Sequence, residues 1–110
     1  MKGSDCMIKH TNENDFNKDV IQNSKLVIID FFATWCMPCQ MLAPIFEEVS
    51  NRYEDIDFFK IDIDENPNLV KQFEIDSVPT LIFMKDGKVL NQEIGVRGIK
   101  EFDEIIEKLK

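Results

Sequence analysis

Residues 25–33, KLVIIDFFA, impose the strongest constraint on how this chain can fold. The segment is a nearly continuous apolar run, rich in β-branched and aromatic residues, with the single acid Asp30 inside it. Such a run is typical of a strand that is buried on both faces, because a strand with one solvated face alternates apolar and polar residues. We therefore predict a central strand here, with other elements covering both of its sides.

The rest of the chain predicts helices and further strands around this central strand. Apolar residues recur at helical spacing between Cys36 and Arg52, and Asp86-Gly87 separates two short runs in the manner of a tight β-hairpin. The predicted strands are residues 7–9, 25–33, 56–64, 80–85 and 88–94, and the predicted helices are residues 15–22, 36–52, a short segment from about Pro67, and the tail KEFDEIIEKLK. Alternating strands and helices followed by a hairpin predict one α/β domain over residues 1–110, with a mixed sheet and helices on both faces.

Composition and charge exclude several functional classes. The formal net charge is −8, so there is no surplus of lysine and arginine to neutralise the phosphates of a nucleic acid. No apolar run approaches the roughly 18 residues of a membrane span, and the opening MKGSDCMIKH lacks the apolar core of a secretory signal. We therefore expect a cytoplasmic protein that binds neither nucleic acid nor membrane.

Two of the 3 cysteines, Cys36 and Cys39, lie at the predicted junction between the central strand and the long helix. Their spacing places both sulfurs on one face of the first helical turn, where a disulfide can open and close with little backbone motion. The partial positive charge of a helix N-terminus favours a thiolate at Cys36. We interpret the pair as a redox couple.

Three alternative interpretations of the cysteine pair are weaker. A zinc site could add Cys6 and His10, but these residues lie about 13 Å apart if extended, whereas zinc ligands meet within about 2.3 Å of the ion. Covalent haem attachment requires a histidine after the second cysteine, and Gln40 occupies that position. An inert buried pair is disfavoured at a strand-to-helix junction. We expect no metal and no other cofactor, and we interpret Cys6 as an apolar filler.

Several separated motifs identify a family. With VIIDFFA before WCMPC, then APIFEEV, KIDIDENP, SVPT, KDGK and a late glycine, the chain resembles the thioredoxin family from about residue 7 to residue 110. The resemblance implies the thioredoxin fold, a central five-stranded mixed sheet flanked by four helices. It also implies a protein-disulfide oxidoreductase that works by thiol-disulfide exchange. The partners implied are disulfide-containing client proteins and a thioredoxin-reductase-type electron donor, and we expect a monomer.

The resemblance implies roles for four residues near the thiols. Cys36 matches the cysteine that attacks the client disulfide, and Cys39 matches the cysteine that resolves the mixed disulfide. Asp30 matches an acid that exchanges a proton with the second cysteine, and Lys60 matches a lysine that lies near this acid. Independently of the resemblance, an aspartate inside an apolar strand is expected to have a raised pKa, unless it reaches solvent at the strand end.

Other residues match the client-binding surface of the family. Val78-Pro79 corresponds to a loop with a cis peptide bond that faces the thiols and offers the backbone of Val78 to an extended client segment. Gly95 corresponds to a glycine that borders the same groove, where the absence of a side chain permits close approach. The apolar patch expected for clients consists of Trp35, Met37, Pro38, Val78 and Pro79. For Trp35 the alternative is partial packing in the core.

The chain departs from the family pattern at three positions near the thiols. Met37 stands where the family usually has glycine, Gln40 replaces a common lysine, and Phe32 replaces a frequent tryptophan. Because Met37 is expected to project beside Cys36, it bears on the range of clients. Two alternative functions stay open at this point: a glutaredoxin-like or isomerase-type thiol oxidoreductase, and a non-catalytic binding module with the thioredoxin fold.

Overall fold

The computed structural model describes residues 8–110 as one sheet with helices on both of its faces. The strands are β1 (Ile8–His10), β2 (Leu26–Phe32), β3 (Ile56–Asp62), β4 (Thr80–Lys85) and β5 (Lys88–Ile94). The helices are a π-helical segment (Asn17–Ile21) and three α-helices, α1 (Met37–Arg52), α2 (Pro67–Gln72) and α3 (Ile99–Leu109). The sheet is 5-stranded in the order β1-β3-β2-β4-β5. β4 is antiparallel to β2 and β5, while β1, β2 and β3 are parallel.

The predicted α/β architecture is confirmed, with small differences at the ends of elements. The helix predicted over residues 15–22 is a π-helical segment, and β3 ends at Asp62 rather than at residue 64. β1 extends to His10, which therefore lies inside the strand rather than after it. The hairpin strands have the predicted bounds. The interpretation of Cys6 falls on a residue outside the described part of the chain.

Two apolar clusters cover the two faces of the sheet, and β2 contributes to both because successive side chains of a strand point to opposite faces. The cluster beneath the π-helical segment and α2 includes Phe16, Val20, Val27, Ile29, Phe31 and Leu69. The cluster beneath α1 and α3 includes Leu26, Ile28, Leu42, Phe46, Phe102 and Ile106. By the same alternation, Asp30 belongs to the face that α1 and α3 cover. The central strand is buried from Leu26 to Phe31, as predicted.

The C-terminus of α2 holds a residue other than glycine in the left-handed region. Glu74 has a φ of 54°. Its N–H donates to the carbonyl of Lys71 at 3.2 Å, and the N–H of Ile75 donates to the carbonyl of Val70 at 2.9 Å. These two bonds form a Schellman motif, which favours glycine at the position of Glu74 because a Cβ there costs about 1–2 kcal/mol. The turn places Ile75 in the core and leads the chain towards Val78.

The substitution Glu74→Gly is expected to raise the free energy of unfolding by about 0.5 to 1 kcal/mol, since relief of the left-handed strain exceeds the entropic cost of glycine. Urea unfolding followed by circular dichroism measures the change. The matched control is Glu48→Gly, at an exposed position inside α1. There glycine is expected to lower the same free energy by about 1 kcal/mol. A destabilised Glu74→Gly variant would contradict the strain assigned to this turn.

Candidate active site

The central strand leads directly to the two cysteines. β2 ends at Phe32, and after a three-residue turn Cys36 forms the N-cap of α1 with extended backbone angles (φ −94°, ψ 117°). Pro38 lies in the first helical turn, where the missing N–H of proline removes no helical hydrogen bond. The cysteines therefore lie at the strand-to-helix junction that the sequence predicts.

The two thiols are held close to each other and to the loop before β4. The N–H of Cys39 donates to Sγ of Cys36 at 3.2 Å, so an amide at the start of the helix points directly at that sulfur. The Cys36 thiol in turn lies 3.7 Å from the carbonyl oxygen of Val78, to which it can donate. Both cysteines are free thiols, and each is only 4% exposed. This geometry allows the two sulfurs to bond to each other with little movement of the backbone.

Asp30 and Cys39 both have raised pKa values. Burial raises the pKa of Asp30 to about 7, against the opposing effect of the positive charge of Lys60. Burial also raises the pKa of Cys39 to about 12, with smaller upward contributions from a hydrogen bond to Cys36 and from the charges of Cys36 and Asp30. Asp30 is fully buried, which rules out the alternative that it reaches solvent at the strand end. Neither carboxylate oxygen of Asp30 has a hydrogen-bond partner within residues 8–110.

Lys60 lies on the strand next to Asp30, as the resemblance implied. The two residues are in register between β2 and β3, and His10 is in register with Lys60 on β1. The Nζ atom of Lys60 lies 4.7 Å from the centroid of the Phe32 ring, a cation–π contact. The ring of His10 meets Phe32 edge-on at a centroid distance of 5.9 Å. Phe32, which replaces a frequent tryptophan, therefore supports the lysine whose charge acts on Asp30.

Exposed apolar side chains flank Cys36 on the surface. Trp35 is 67% exposed and Met37 is 64% exposed. The indole N–H of Trp35 donates to Oδ2 of Asp64 at 2.8 Å, which holds the ring at the surface. The alternative of core packing for Trp35 is therefore wrong. Pro38 is also exposed, and Met41, one helical turn after Met37, extends the apolar patch.

The loop before β4 contacts both Cys36 and the end of β5. The Val78–Pro79 peptide bond is cis, as the resemblance implied. Val78 is half-buried and packs against the small cluster formed by Ala33 and the two cysteines. Pro79 is buried, so its expected place in the exposed apolar patch is wrong. Gly95 has a φ of 96°, and its N–H donates to the carbonyl of Pro79 at 2.8 Å. The cis loop therefore joins Cys36, through Val78, to Gly95, through Pro79.

Sequence reasoning missed three residues of this region: Asp64, Met41 and Arg97. Asp64 follows β3 and binds Trp35, while Arg97 follows β5 and lies close to Gly95. The helical spacing of Met41 from Met37 was readable in the sequence. The other two residues could be found only from the order of the strands in the sheet. That order brings the ends of β3 and β5 to the same side as the end of β2, which leads to the cysteines.

The described residues give no support to a metal centre. Within residues 8–110, no group of three or more His, Cys, Asp and Glu side chains is arranged to hold a metal ion. In the same part of the chain, no helix is long and apolar enough to cross a membrane.

Comparisons with known proteins identify the family. The family model described as Thioredoxin matches residues 7–110. The chain belongs to the thioredoxin family. Thioredoxin of Listeria monocytogenes is 42% identical over 103 residues, which cover 93% of this chain and 98% of the relative. A thioredoxin of Arabidopsis thaliana is 40% identical over 102 residues, covering 91% and 83%. The solved thioredoxin structure from Malassezia sympodialis has a TM-score of 0.83 at 30% identity and covers 92% of this chain and 89% of that chain.

Family membership establishes the fold and the class of reaction. The chain has the thioredoxin fold that its sequence predicted. Like other members of the family, it is a protein-disulfide oxidoreductase that works by thiol-disulfide exchange. The relatives do not favour the glutaredoxin-like or isomerase-type alternative, or the non-catalytic module.

The charge state of Asp30 is expected to make the chain less stable as pH rises. Its carboxyl titrates near 3.8 when unperturbed, whereas the pKa of Asp30 in the folded protein is about 7. Between these values the folded protein keeps a proton that the unfolded chain has released, so the free energy of unfolding falls with increasing pH. Because one pKa unit corresponds to about 1.36 kcal/mol, the loss approaches roughly 4 kcal/mol near pH 8.

Chemical unfolding of the reduced wild-type chain and Asp30→Asn between about pH 4 and pH 8 measures this effect. The wild-type free energy of unfolding, minus that of the variant, is expected to fall by an amount on the order of 4 kcal/mol across the range. Asp57→Asn is the control, because Asp57 lies on the neighbouring strand beside Lys25 near solvent. If the difference in free energy of unfolding between the wild type and Asp30→Asn stayed constant with pH, Asp30 would not be buried with a raised pKa.

Proposed function

We propose that this chain reduces disulfides of client proteins, with Cys36 as the attacking thiol and Cys39 as the resolving thiol. The asymmetry of the two sulfurs is the observation that carries this assignment. Cys36 lies at the N-cap of α1, between exposed apolar side chains and 3.7 Å from the carbonyl oxygen of Val78. Cys39 lies one turn further into the helix, with a pKa raised to about 12 by burial and its neighbours.

In the first step, the sulfur of Cys36 attacks one sulfur of the client disulfide. Cys36 gives up its proton, the client S–S bond breaks, and a bond between Cys36 and the client forms. The second client sulfur leaves as a thiolate that takes up a proton. An extended client segment that pairs with the backbone of Val78 brings its sulfur to Cys36, because these two residues are already in contact. The client is thereby held in place for the second step.

In the second step, Cys39 attacks Cys36 and releases the client. Cys39 must lose its proton first, and a pKa of about 12 leaves very little thiolate at neutral pH. The carboxylate of Asp30, with a pKa of about 7, accepts this proton directly or through one water. Lys60 favours the charged form of Asp30 and so keeps a fraction of the acid ready to act as the base. The bond between Cys36 and the client breaks as the Cys36–Cys39 disulfide forms, and the client sulfur leaves as a thiolate that takes up a proton. Two electrons have then passed to the client.

We propose that the remaining predicted residues form a groove that binds the client. Trp35, Met37 and Pro38 provide an exposed apolar wall on one side of Cys36. Val78 and the buried Pro79 form the opposite wall, where the Val78 carbonyl faces the Cys36 thiol at 3.7 Å. Gly95 borders the groove without a side chain that would block the client.

The reaction cycle requires two kinds of partner. The first is a disulfide-containing client protein, and the second is a thioredoxin-reductase-type donor that returns the Cys36–Cys39 disulfide to two thiols. We propose that the chain acts as a single domain over residues 1–110 and as a monomer, since one copy supplies all the residues placed around the thiols. The cytoplasm, where thiols are kept reduced, is the proposed compartment.

Substitution of each cysteine is expected to give a different outcome. Cys36→Ser removes the attacking sulfur, so turnover of insulin disulfides with dithiothreitol as reductant is expected to disappear. Cys39→Ser keeps the first step and loses the second, so mixed disulfides with clients are expected to accumulate, as seen on non-reducing gels. A Cys36→Ser variant that still turns over would refute the assignment. Trapping on Cys36→Ser instead of Cys39→Ser would reverse the two roles.

Removal of the proposed base is expected to slow the second step selectively. Asp30→Asn should lower the rate of client release from the mixed disulfide by about a hundredfold at pH 7, while the rate of mixed-disulfide formation changes little. Rapid-quench analysis of the two steps with a peptide disulfide separates them. Asp57→Asn is the control and should leave both rates unchanged. Equal slowing of both steps by Asp30→Asn would show that Asp30 is not the base.

A further inference from the structure

We propose that Arg97 is a specificity-determining residue of the client groove, whose guanidinium binds a main-chain carbonyl of the client on the β5 side. The proposal rests on the proposed function of the groove and deepens it. In this role, Arg97 makes the chain favour clients whose reducible cysteine lies within an extended segment several residues long. Arg97 lies outside the set of residues that the sequence assigned to the groove.

The strand order places Arg97 at a defined distance from the attacking sulfur. Cys36 follows β2, Pro79 precedes β4 and Gly95 follows β5. Because β4 is antiparallel to both of its neighbours, the ends of β2 and β5 lie beside the start of β4. The three chain segments therefore meet on the same side of the sheet, at the strand ends. Neighbouring strands lie about 4.8 Å apart, so the β5 end lies roughly 10 Å from the β2 end along this side. An extended client covers that distance with about three residues.

The guanidinium of Arg97 is fixed in position but retains free donors. Its Nε donates to Oε1 of Glu93 at 3.1 Å, and its Nη2 lies 3.0 Å from the same oxygen. Its Nη1 donates to the carbonyl of Val96 at 3.2 Å. Arginine has five N–H donors in one plane. One N–H on Nη1 and one on Nη2 therefore have no acceptor within residues 8–110 and are available to an incoming oxygen.

Gly95 leaves space beside these donors because it has no side chain. A Cβ on Gly95 would lie 3.7 Å from Nη1 of Arg97, so the glycine and the guanidinium face the same volume. Gly95 also donates to the carbonyl of Pro79, which fixes this volume beside the cis loop. A client backbone that pairs with Val78 and continues towards β5 therefore passes over Gly95 and reaches the donors of Arg97.

The charge balance favours a carbonyl oxygen over a client carboxylate. Glu93 neutralises Arg97 at close range, and the whole chain has a formal net charge of −8. A second carboxylate at this position would be repelled by Glu93, whereas a neutral carbonyl meets no such repulsion. Oxygen acceptors of the peptide backbone occur in every client. Arg97 would therefore select for the length and extension of the client segment and not for its charge.

The test compares a short disulfide substrate with a long one. The short substrate is the disulfide of N-acetyl-cysteine methylamide, and the long substrate is the disulfide of a peptide with four alanines on each side of its cysteine. The readout is the second-order rate constant of disulfide reduction by the reduced chain in a single turnover. Arg97→Gln is expected to lower this constant about three-fold for the long substrate and to leave it unchanged for the short one, as loss of one exposed hydrogen bond predicts.

A matched arginine controls for general effects of the substitution. Arg52 lies 3.4 Å from Asp103 at the far end of α1, away from the thiols. Arg52→Gln is expected to change neither rate constant.

Other outcomes would overturn the proposal. Equal loss on both substrates would show that Arg97 only stabilises the fold, and no loss on either would show that it does not touch the client. A loss seen only when glutamate replaces the alanines would mean that charge is recognised instead. If the wild-type chain reduced neither substrate, the proposed function itself would fail, which is a separate result.

Discussion

The burial of β2 on both faces is the constraint on which the rest of the site depends. Because β3 and β4 flank this strand and apolar clusters cover its two sides, its end cannot shift without opening the core. Phe31, near that end, is in register with Thr80, the first residue of β4. The turn that carries Cys36 and the loop that carries Val78 and Pro79 are therefore fixed relative to each other. Thiol exchange needs this arrangement, since attack requires two sulfurs at a defined distance and angle.

The same burial sets the proton chemistry. An apolar strand gives Asp30 no solvent and no hydrogen-bond partner within residues 8–110, so its pKa rises to about 7. Ionisation at neutral pH consequently costs stability, and an apolar residue at this position would stabilise the fold. We attribute the presence of this destabilising group to the proposed role of Asp30 as the base for Cys39, whose pKa its charge helps to raise to about 12. Lys60, supported on the ring of Phe32, adjusts this cost without removing it.

The sequence predicts individual helices and strands better than it predicts contacts between residues far apart in the chain. Periodicity predicted β2, α1, the hairpin and α3 because each has a strong apolar pattern or a strong turn. It did not distinguish a π-helical segment from an α-helix near Val20, because the apolar spacing of such a short segment fits both. The roles of Asp30 and Lys60 came from resemblance to a family. Contacts such as Trp35 with Asp64 join residues on different strands, and only the strand order brings them together.

We propose that the departure at Met37 affects the encounter with clients more than the chemistry between the thiols. Its side chain is 64% exposed and lies outside the small cluster formed by Ala33, Cys36 and Cys39. The hydrogen bonds of the Cys36 sulfur are to the backbone of Cys39 and of Val78, and neither involves the side chain of Met37. Where a glycine would expose backbone, Met37 and Met41 present flexible apolar side chains that can adapt to different client surfaces. Under this proposal, the departure at Met37 alters the choice of client while the thiol couple is retained.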